Sequence, residues 1–297
     1  MFYMFIIFLF CSTNLMADNI VINIKNKFDI PENYIINSLK KASLDNKSLL
    51  LINKPKEKLP FNKYKNLLVT KKRIIEGKKF LKKHRYWLIK SEKNFKVEKS
   101  IISAIIGIES FYGKHTFNHK ALNVLYTLSL KYKKRAPYFT YELGSFLNFC
   151  FKNKLRVESI LSSYAGAIGI PQFMPSNIIK YGIDFNKNNK IDIINEIPDA
   201  IASVANYLHR FGWNYKKPTA IKVKNVNKSI LNKWITIKIL KQKGVRFPLK
   251  VKSNYKVKII KVDSSYWATF NNFYVLRKYN PSNNYVLAVL ILSKKLR

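Results

Sequence analysis

Carboxylates are in short supply in this chain. Its 297 residues hold 16 Asp and Glu against 55 Lys and Arg, a formal net charge of +39. That scarcity limits schemes in which two carboxylates flank a scissile glycosidic bond. Cysteine is rarer still, at two residues, Cys11 and Cys150. Cys11 falls inside Met1–Ala17, a segment that reads as a secretory signal, so the exported chain would keep Cys150 alone and have no internal disulfide. Cys150 lies in the apolar stretch Phe146–Phe151 and reads as core packing, because a catalytic cysteine needs a histidine partner. Beyond the signal no stretch approaches the roughly twenty apolar residues of a membrane span. Also missing are HExxH, a phosphate-binding loop, GxSxG, and zinc-finger, RNA-recognition or basic-zipper signatures.

The charge that is present attracts polyanions: nucleic acid, anionic lipid or an acidic wall polymer. The lysines are spread along the whole chain without a basic tail or stripe, which argues against nucleic acid. The signal rests on the apolar run Phe2–Phe10, too short to span a membrane, followed by Leu15-Met16-Ala17 as a cleavage region. It departs from the usual pattern in having no Lys or Arg before the run. Cys11 is a candidate for lipid attachment to the outer membrane, although Phe-Leu-Phe before it lacks the usual small residue.

Ile101–Gly113 is apolar nearly all round yet holds one carboxylate. At helical spacing Glu109 shares a face with Ile102, Ile105, Ile106 and Tyr112. An all-round apolar helix is a buried one. A Glu on it should be partly desolvated, which raises a carboxyl pKa toward values useful to a general acid. The plain alternative is a solvated Glu at a helix end.

Around this stretch the chain reads as helical from Asp18 to about Lys99, with helices after Pro31 and over Lys71–Phe95. Helices at Ala121–Tyr132 and Tyr138–Phe151 follow. Ser163–Ser176 then packs two Gly, two Pro and two Ala around Gln172, a composition that lets backbone pass close to a ligand or another backbone. Gln172 between apolar neighbours needs its own hydrogen-bond partner. Asp184–Asp192 resembles the start of an EF-hand loop, with oxygen ligands at positions one, three, five and nine: Asp184, Asn186, Asn188 and Asp192. Asn189 stands where Gly is usual, Asn195 stands at position twelve where a bidentate Glu is expected, and two lysines lie inside the loop. It is a weak candidate for structural calcium. A helix through Asp199–Leu208 places Tyr207 beside its apolar stripe. After Trp213 the period changes to two at Ile221–Lys224, Trp234–Ile239, Leu249–Lys252 and Tyr255–Val262, which predicts strands. An aromatic-rich stretch and an apolar helix over Tyr285–Leu292 close the chain.

Taken in order, Gly107-Ile-Glu-Ser-Phe-Tyr-Gly113, Ala121–Ser129, Ser163-Tyr-Ala-Gly-Ala-Ile-Gly-Ile-Pro-Gln-Phe-Met-Pro-Ser176, Asp199–Leu208 with Gly212-Trp213, and Arg277-Lys-Tyr-Asn280 resemble the membrane-bound lytic murein transglycosylase B family, over about residues 30–297. The resemblance implies an α+β fold. A mainly helical, lysozyme-like core (99–213 plus 263–297) would follow a helical N-terminal region (18–98), with a small β-rich insertion at 214–262. It implies a periplasmic enzyme that cleaves the MurNAc–GlcNAc β-1,4 bond of peptidoglycan without water, leaving 1,6-anhydromuramyl ends. Glu109 would be the single acid/base, with no cofactor required. Ser163, Gln172, Tyr207, Tyr279 and Asn280 match family residues that hold the glycan. Lys134-Arg135 matches a basic pair, with Lys in place of the usual Arg at 134. A lysozyme-like hydrolase and an inactive wall-binding scaffold are the competing readings.

Overall fold

A computed structural model describes residues 19–53, 59–248 and 250–297. The signal segment and Cys11 lie outside these residues. The chain forms two compact units: the described part of Met1–Pro55 with His115–Ala200, and the described part of Lys56–Lys114 with Ile201–Arg297.

In the first unit the helices Ala121–Lys131 and Ala136–Lys152 pack side by side, joined by a short 3-10 turn, Lys133–Arg135. Their facing apolar side chains, including Leu125, Leu128, Phe139, Phe146 and Leu147, are fully or almost fully buried. Each such side chain contributes about 1.5–3 kcal/mol by leaving water. Cys150 is buried among them as a free thiol, pushed up to about 12 by burial, so the packing role read from sequence holds. A two-stranded pairing, His119–Lys120 with Leu161–Ser162, leads into the glycine-rich turn. Buried Glu142 accepts from the backbone N–H and hydroxyl of Ser176 and thereby fixes the start of helix Pro175–Tyr181. Burial raises its carboxyl above the usual range.

In the second unit the helix Lys99–Ser110 is the central element. Every residue from Ser100 to Gly107 is buried, as a helix with no polar face requires. Lys71–Lys83, Arg85–Phe95 and Asn283–Lys295 pack against it. The predicted single helix over Lys71–Phe95 breaks at His84, whose N–H makes the last helical bond to the Phe80 carbonyl while its backbone leaves helical geometry (φ −106°, ψ 25°). The sheet has strand order Ala220–Val223, Ser265–Thr269, Lys256–Val262, Trp234–Thr236, with every neighbour antiparallel. One face, carrying Ile221, Val223, Val257, Ile259 and Ala268, closes a small apolar core.

Two strand expectations fail. Ile237–Gln242 is a helix capped by the Thr236 hydroxyl, with Ile237 and Leu240 buried in that core. A side-chain cap and a tertiary site outweigh a short β-branched run. Residues 250–252 form no strand, and Leu249 lies outside the described residues. Conversely, Ser265–Thr269, read only as aromatic-rich, is the strand between Ala220–Val223 and Lys256–Val262. The mainly helical α+β class is the one expected.

Candidate active site

Helix Lys99–Ser110 ends in three successive residues of left-handed backbone: Phe111 (φ 51°), Tyr112 (φ 64°) and Gly113 (φ 79°). Only the last suits glycine freely; the other two are strained and need outside support. Tyr112 supplies it. It is not on the helix face beside Glu109, as helical spacing predicts, but turns back between two helices. A Cβ on Gly107 would come within 2.5 Å of its ring, and one on Gly77 within 2.2 Å of its hydroxyl. The ring therefore occupies a slot made by two missing side chains. Its hydroxyl donates to the Arg73 carbonyl at 3.0 Å. The Arg73 Nε donates in turn to the Gly107 carbonyl at 2.9 Å, and its guanidinium lies 5.3 Å from the Phe111 ring centre. Arg73 and Tyr112 thus fasten the end of the helix that presents Glu109.

Glu109 is half-buried. Its Oε1 accepts a 2.6 Å hydrogen bond from the hydroxyl of Tyr285, itself only 1% exposed. Tyr279 stacks on Tyr285, nearly parallel at 8° with ring centres 6.3 Å apart, and Tyr207 meets Tyr279 edge-on at 5.1 Å. Burial, and next the Glu109 carboxylate, hold the Tyr279 and Tyr285 hydroxyls well above the usual phenol range. Both stay protonated donors at any working pH.

The backbone that carries these tyrosines is fixed by its own side chains. Tyr207 donates to the Lys278 carbonyl at 2.6 Å. The Asn280 Oδ1 accepts from the Ser282 N–H, and the Ser282 hydroxyl caps Tyr285 N–H at the start of Asn283–Lys295. Tyr285 went unnoticed in sequence, where it reads as the first residue of an apolar helix. The signal was a hydroxyl-bearing ring opening an otherwise aliphatic segment. Tyr285→Phe should lower turnover about 10- to 100-fold, the range of one donor lost from a charged group. It should leave the fold intact, as steady-state kinetics and circular dichroism would show.

The remaining candidates lie in the first unit. The Ser163 hydroxyl accepts from Ala165 N–H at 3.3 Å and Ala167 N–H at 3.2 Å, tying the turn. Ile168 and Phe173 exchange backbone hydrogen bonds, and Gln172 sits in the tight loop between them with φ of 50°. The partner its amide requires is the Gly169 carbonyl, 2.8 Å from Nε2. Gly169 is obligatory, since φ is 71° and a Cβ would stand 2.6 Å from the Ile193 carbonyl oxygen. Exposed Arg135 stacks over Tyr138 at 4.2 Å.

Ile193 belongs to the EF-hand-like loop, and its carbonyl accepts the Ile170 N–H. In that loop the Asp184 carboxylate accepts the N–H groups of Asn188 and Asn189, with Asn189 at φ 67° in the glycine position. Asn195 turns away to Asp192. The acid facing Asn186 and Asn188 is Glu196, one residue later, whose carboxylate accepts from both side-chain amides. Counting a fixed twelve-residue loop missed it. Fully buried Asp199 closes the base, accepting from Phe185 and Asp192 N–H. Asp184, Asn186, Asn188 and Glu196 offer only hard oxygen donors from side chains, a set that suits calcium.

The chain resembles known proteins along most of its length. Residues 20–294 match the transglycosylase SLT domain family. The chain is 30% identical over 234 residues to membrane-bound lytic murein transglycosylase B of Escherichia coli (strain K12), covering 76% of this chain and 64% of that relative's length. Soluble lytic transglycosylase SltB1 of Pseudomonas aeruginosa superposes with a TM-score of 0.86 at 28% identity, over 95% of this chain and 98% of that one. Escherichia coli Slt35, solved in complex with calcium, superposes at 0.87 and 26% identity, over 95% and 92% of the two chains. The fold is that of these lytic transglycosylases, and the chain belongs to the transglycosylase SLT domain family.

Proposed function

We propose that this protein is a peptidoglycan lytic transglycosylase in which Glu109 works twice in each turnover. Its carboxyl first protonates the glycosidic oxygen between MurNAc and GlcNAc, so the leaving hydroxyl departs neutral. The resulting carboxylate then takes the proton from the muramyl C6 hydroxyl as that oxygen bonds to the anomeric carbon. Bond breaking and bond making balance without water, and the glycan ends as a 1,6-anhydromuramyl residue. One observation carries this reading: a single half-buried carboxylate, Glu109, sits at the end of an apolar helix and accepts a 2.6 Å hydrogen bond from the buried Tyr285 hydroxyl. A nucleophile supplied by the substrate makes a second enzyme carboxylate unnecessary. The buried tyrosine donor keeps the Glu109 oxygen directed, and dipoles take the place of a second charge at the developing oxocarbenium.

On the family pattern Ser163, Gln172, Tyr207, Tyr279, Asn280 and Arg135 hold the glycan. The proposal includes export to the periplasm through residues 1–17. It also includes the division into an N-terminal helical region, a discontinuous core and an insertion at 214–262. Mass spectrometry of digested sacculi tests the chemistry. Products 18 Da lighter than reducing-end muropeptides are expected; reducing-end muramic acid would instead make the enzyme a hydrolase.

Calcium, when bound, would cross-link the Asp184–Glu196 loop through oxygen donors and so brace the Gln172 turn through Ile193. A ligand that binds only the folded state stabilises it by about 2.7 kcal/mol at a hundredfold excess over Kd. Calcium should therefore raise the Tm of the native chain and leave that of Glu196→Gln unmoved, as differential scanning calorimetry would show.

A further inference from the structure

The second unit contains a cavity of about 390 Å³ that the proposed chemistry does not use. Its walls carry Lys216, Lys217, Lys250, Lys294 and Arg297, and its one acidic side chain is Glu98. Glu98 is already committed: its two oxygens accept from the Trp213 Nε1 and the Lys216 N–H, each at 2.7 Å. None of the five cations forms an ion pair among the described residues. Lys217 donates to the Tyr255 hydroxyl, and Arg297 lies 3.5 Å from the Ser100 hydroxyl, so neither is neutralised.

Like charges gathered around a concave apolar floor repel one another, and the repulsion is relieved by an anion. The floor is apolar, formed in part by Ile101, Ile221 and Leu290. A bare inorganic anion would leave that floor and most of the volume unfilled. The cavity also has a defined place in the fold. Helix Lys99–Ser110 contributes Ile101 near its start and Glu109 near its end, eight residues or about 12 Å along the axis. Helix Asn283–Lys295 contributes Tyr285 near its start and Leu290 and Lys294 toward its end. The two helices that carry the Glu109–Tyr285 pair therefore also build the cavity.

We propose that this cavity binds a short carboxylate-bearing peptide, with aliphatic side chains on the floor and carboxylates at the lysines. Its natural source would be the peptide stems of peptidoglycan. That source rests on the function proposed above, whereas the peptide chemistry rests on the cavity alone.

The test is calorimetric titration of the full chain with the tripeptide Ala-Glu-Ala, its carboxylate-free counterpart Ala-Gln-Ala amide, and inorganic phosphate. Binding of the acidic peptide, at least tenfold tighter than either control and weakening with salt, is expected. Equal binding of the amide or of phosphate would overturn the assignment. Lys250→Glu with Lys294→Glu should weaken the acidic peptide at least tenfold, and the milder Lys250→Gln with Lys294→Gln about threefold. Both residues are exposed, so folding should survive. Unchanged affinity in both pairs would sink the proposal. In a Glu109→Gln background, the charge-reversed pair should retain less of the protein on sacculi; undiminished retention would rule out the wall peptide. A chain that binds Ala-Glu-Ala yet releases no anhydromuropeptide would leave this site standing and refute the enzymatic reading.

Discussion

Glu109→Gln should reduce anhydromuropeptide release by about 10³-fold or more. General acid–base groups contribute about 10²–10⁴-fold, and here one group serves both steps. Glutamine has the same shape and keeps an oxygen to accept from Tyr285, so the 2.6 Å contact has a replacement. What it lacks is a transferable proton. Melting temperature and sacculus binding should therefore stay close to those of the native chain, within about 0.5–1 kcal/mol for a half-exposed position. Assays on purified sacculi with product quantification decide the matter. Turnover above a tenth of the native value would show that another group moves the protons.

Tyr112→Ala should be the most damaging substitution away from the carboxylate. The residue is 4% exposed and fills the slot between Gly77 and Gly107. Large-to-small changes at buried aromatics cost about 3–5 kcal/mol. The slot cannot collapse readily, because both neighbours are glycines on packed helices. The ring also holds Phe111 and itself in left-handed backbone, so its loss frees the end of the helix that presents Glu109. Chemical denaturation should show the full cost, and activity should fall in the fraction that stays folded. Tyr112→Phe keeps the ring and loses only the bond to the Arg73 carbonyl, at about 0.5–1.5 kcal/mol. If Tyr112→Ala unfolds no more easily than Tyr112→Phe, the ring is not the fastening described above.

Much of the local structure was legible because it follows from periodicity. Ile101–Ile106 predicts a buried helix from composition, since no face of it could meet water. The lysine-alternating runs at 221–224 and 255–262 predict half-exposed strands because successive side chains point to opposite faces. The failures have a common cause. Thr236–Leu240 has the composition of a strand, yet a cap and two core contacts made it a helix. Ser265–Thr269 has no clean alternation, yet pairing on both sides made it a strand. Helical spacing carried past Ser110 places Tyr112 on the Glu109 face, and nothing local marks the left-handed turn except Gly113.

For the site, the residues alone nominated a candidate. A single carboxylate on an apolar helix, in a chain poor in acids, drew attention to Glu109. A solvated helix end stayed the plain alternative, and the family resemblance is what assigns Glu109 the acid/base role. The sequence's Gly, Pro and Ala also marked Ser163–Ser176 as a place where backbone passes close, and the structure shows that approach at Gly169, with φ of 71° beside the Ile193 carbonyl. Tertiary structure alone decided the partners. Tyr285 lies 176 residues from Glu109, Glu196 replaces Asn195 as the acid facing Asn186 and Asn188, and Tyr112 finds its slot between helices. The physical reason is one of range. Periodicity and backbone preference act within a few residues, and the sequence records them directly. A hydrogen bond between distant segments depends on where packing brings their ends, and no local pattern encodes that distance.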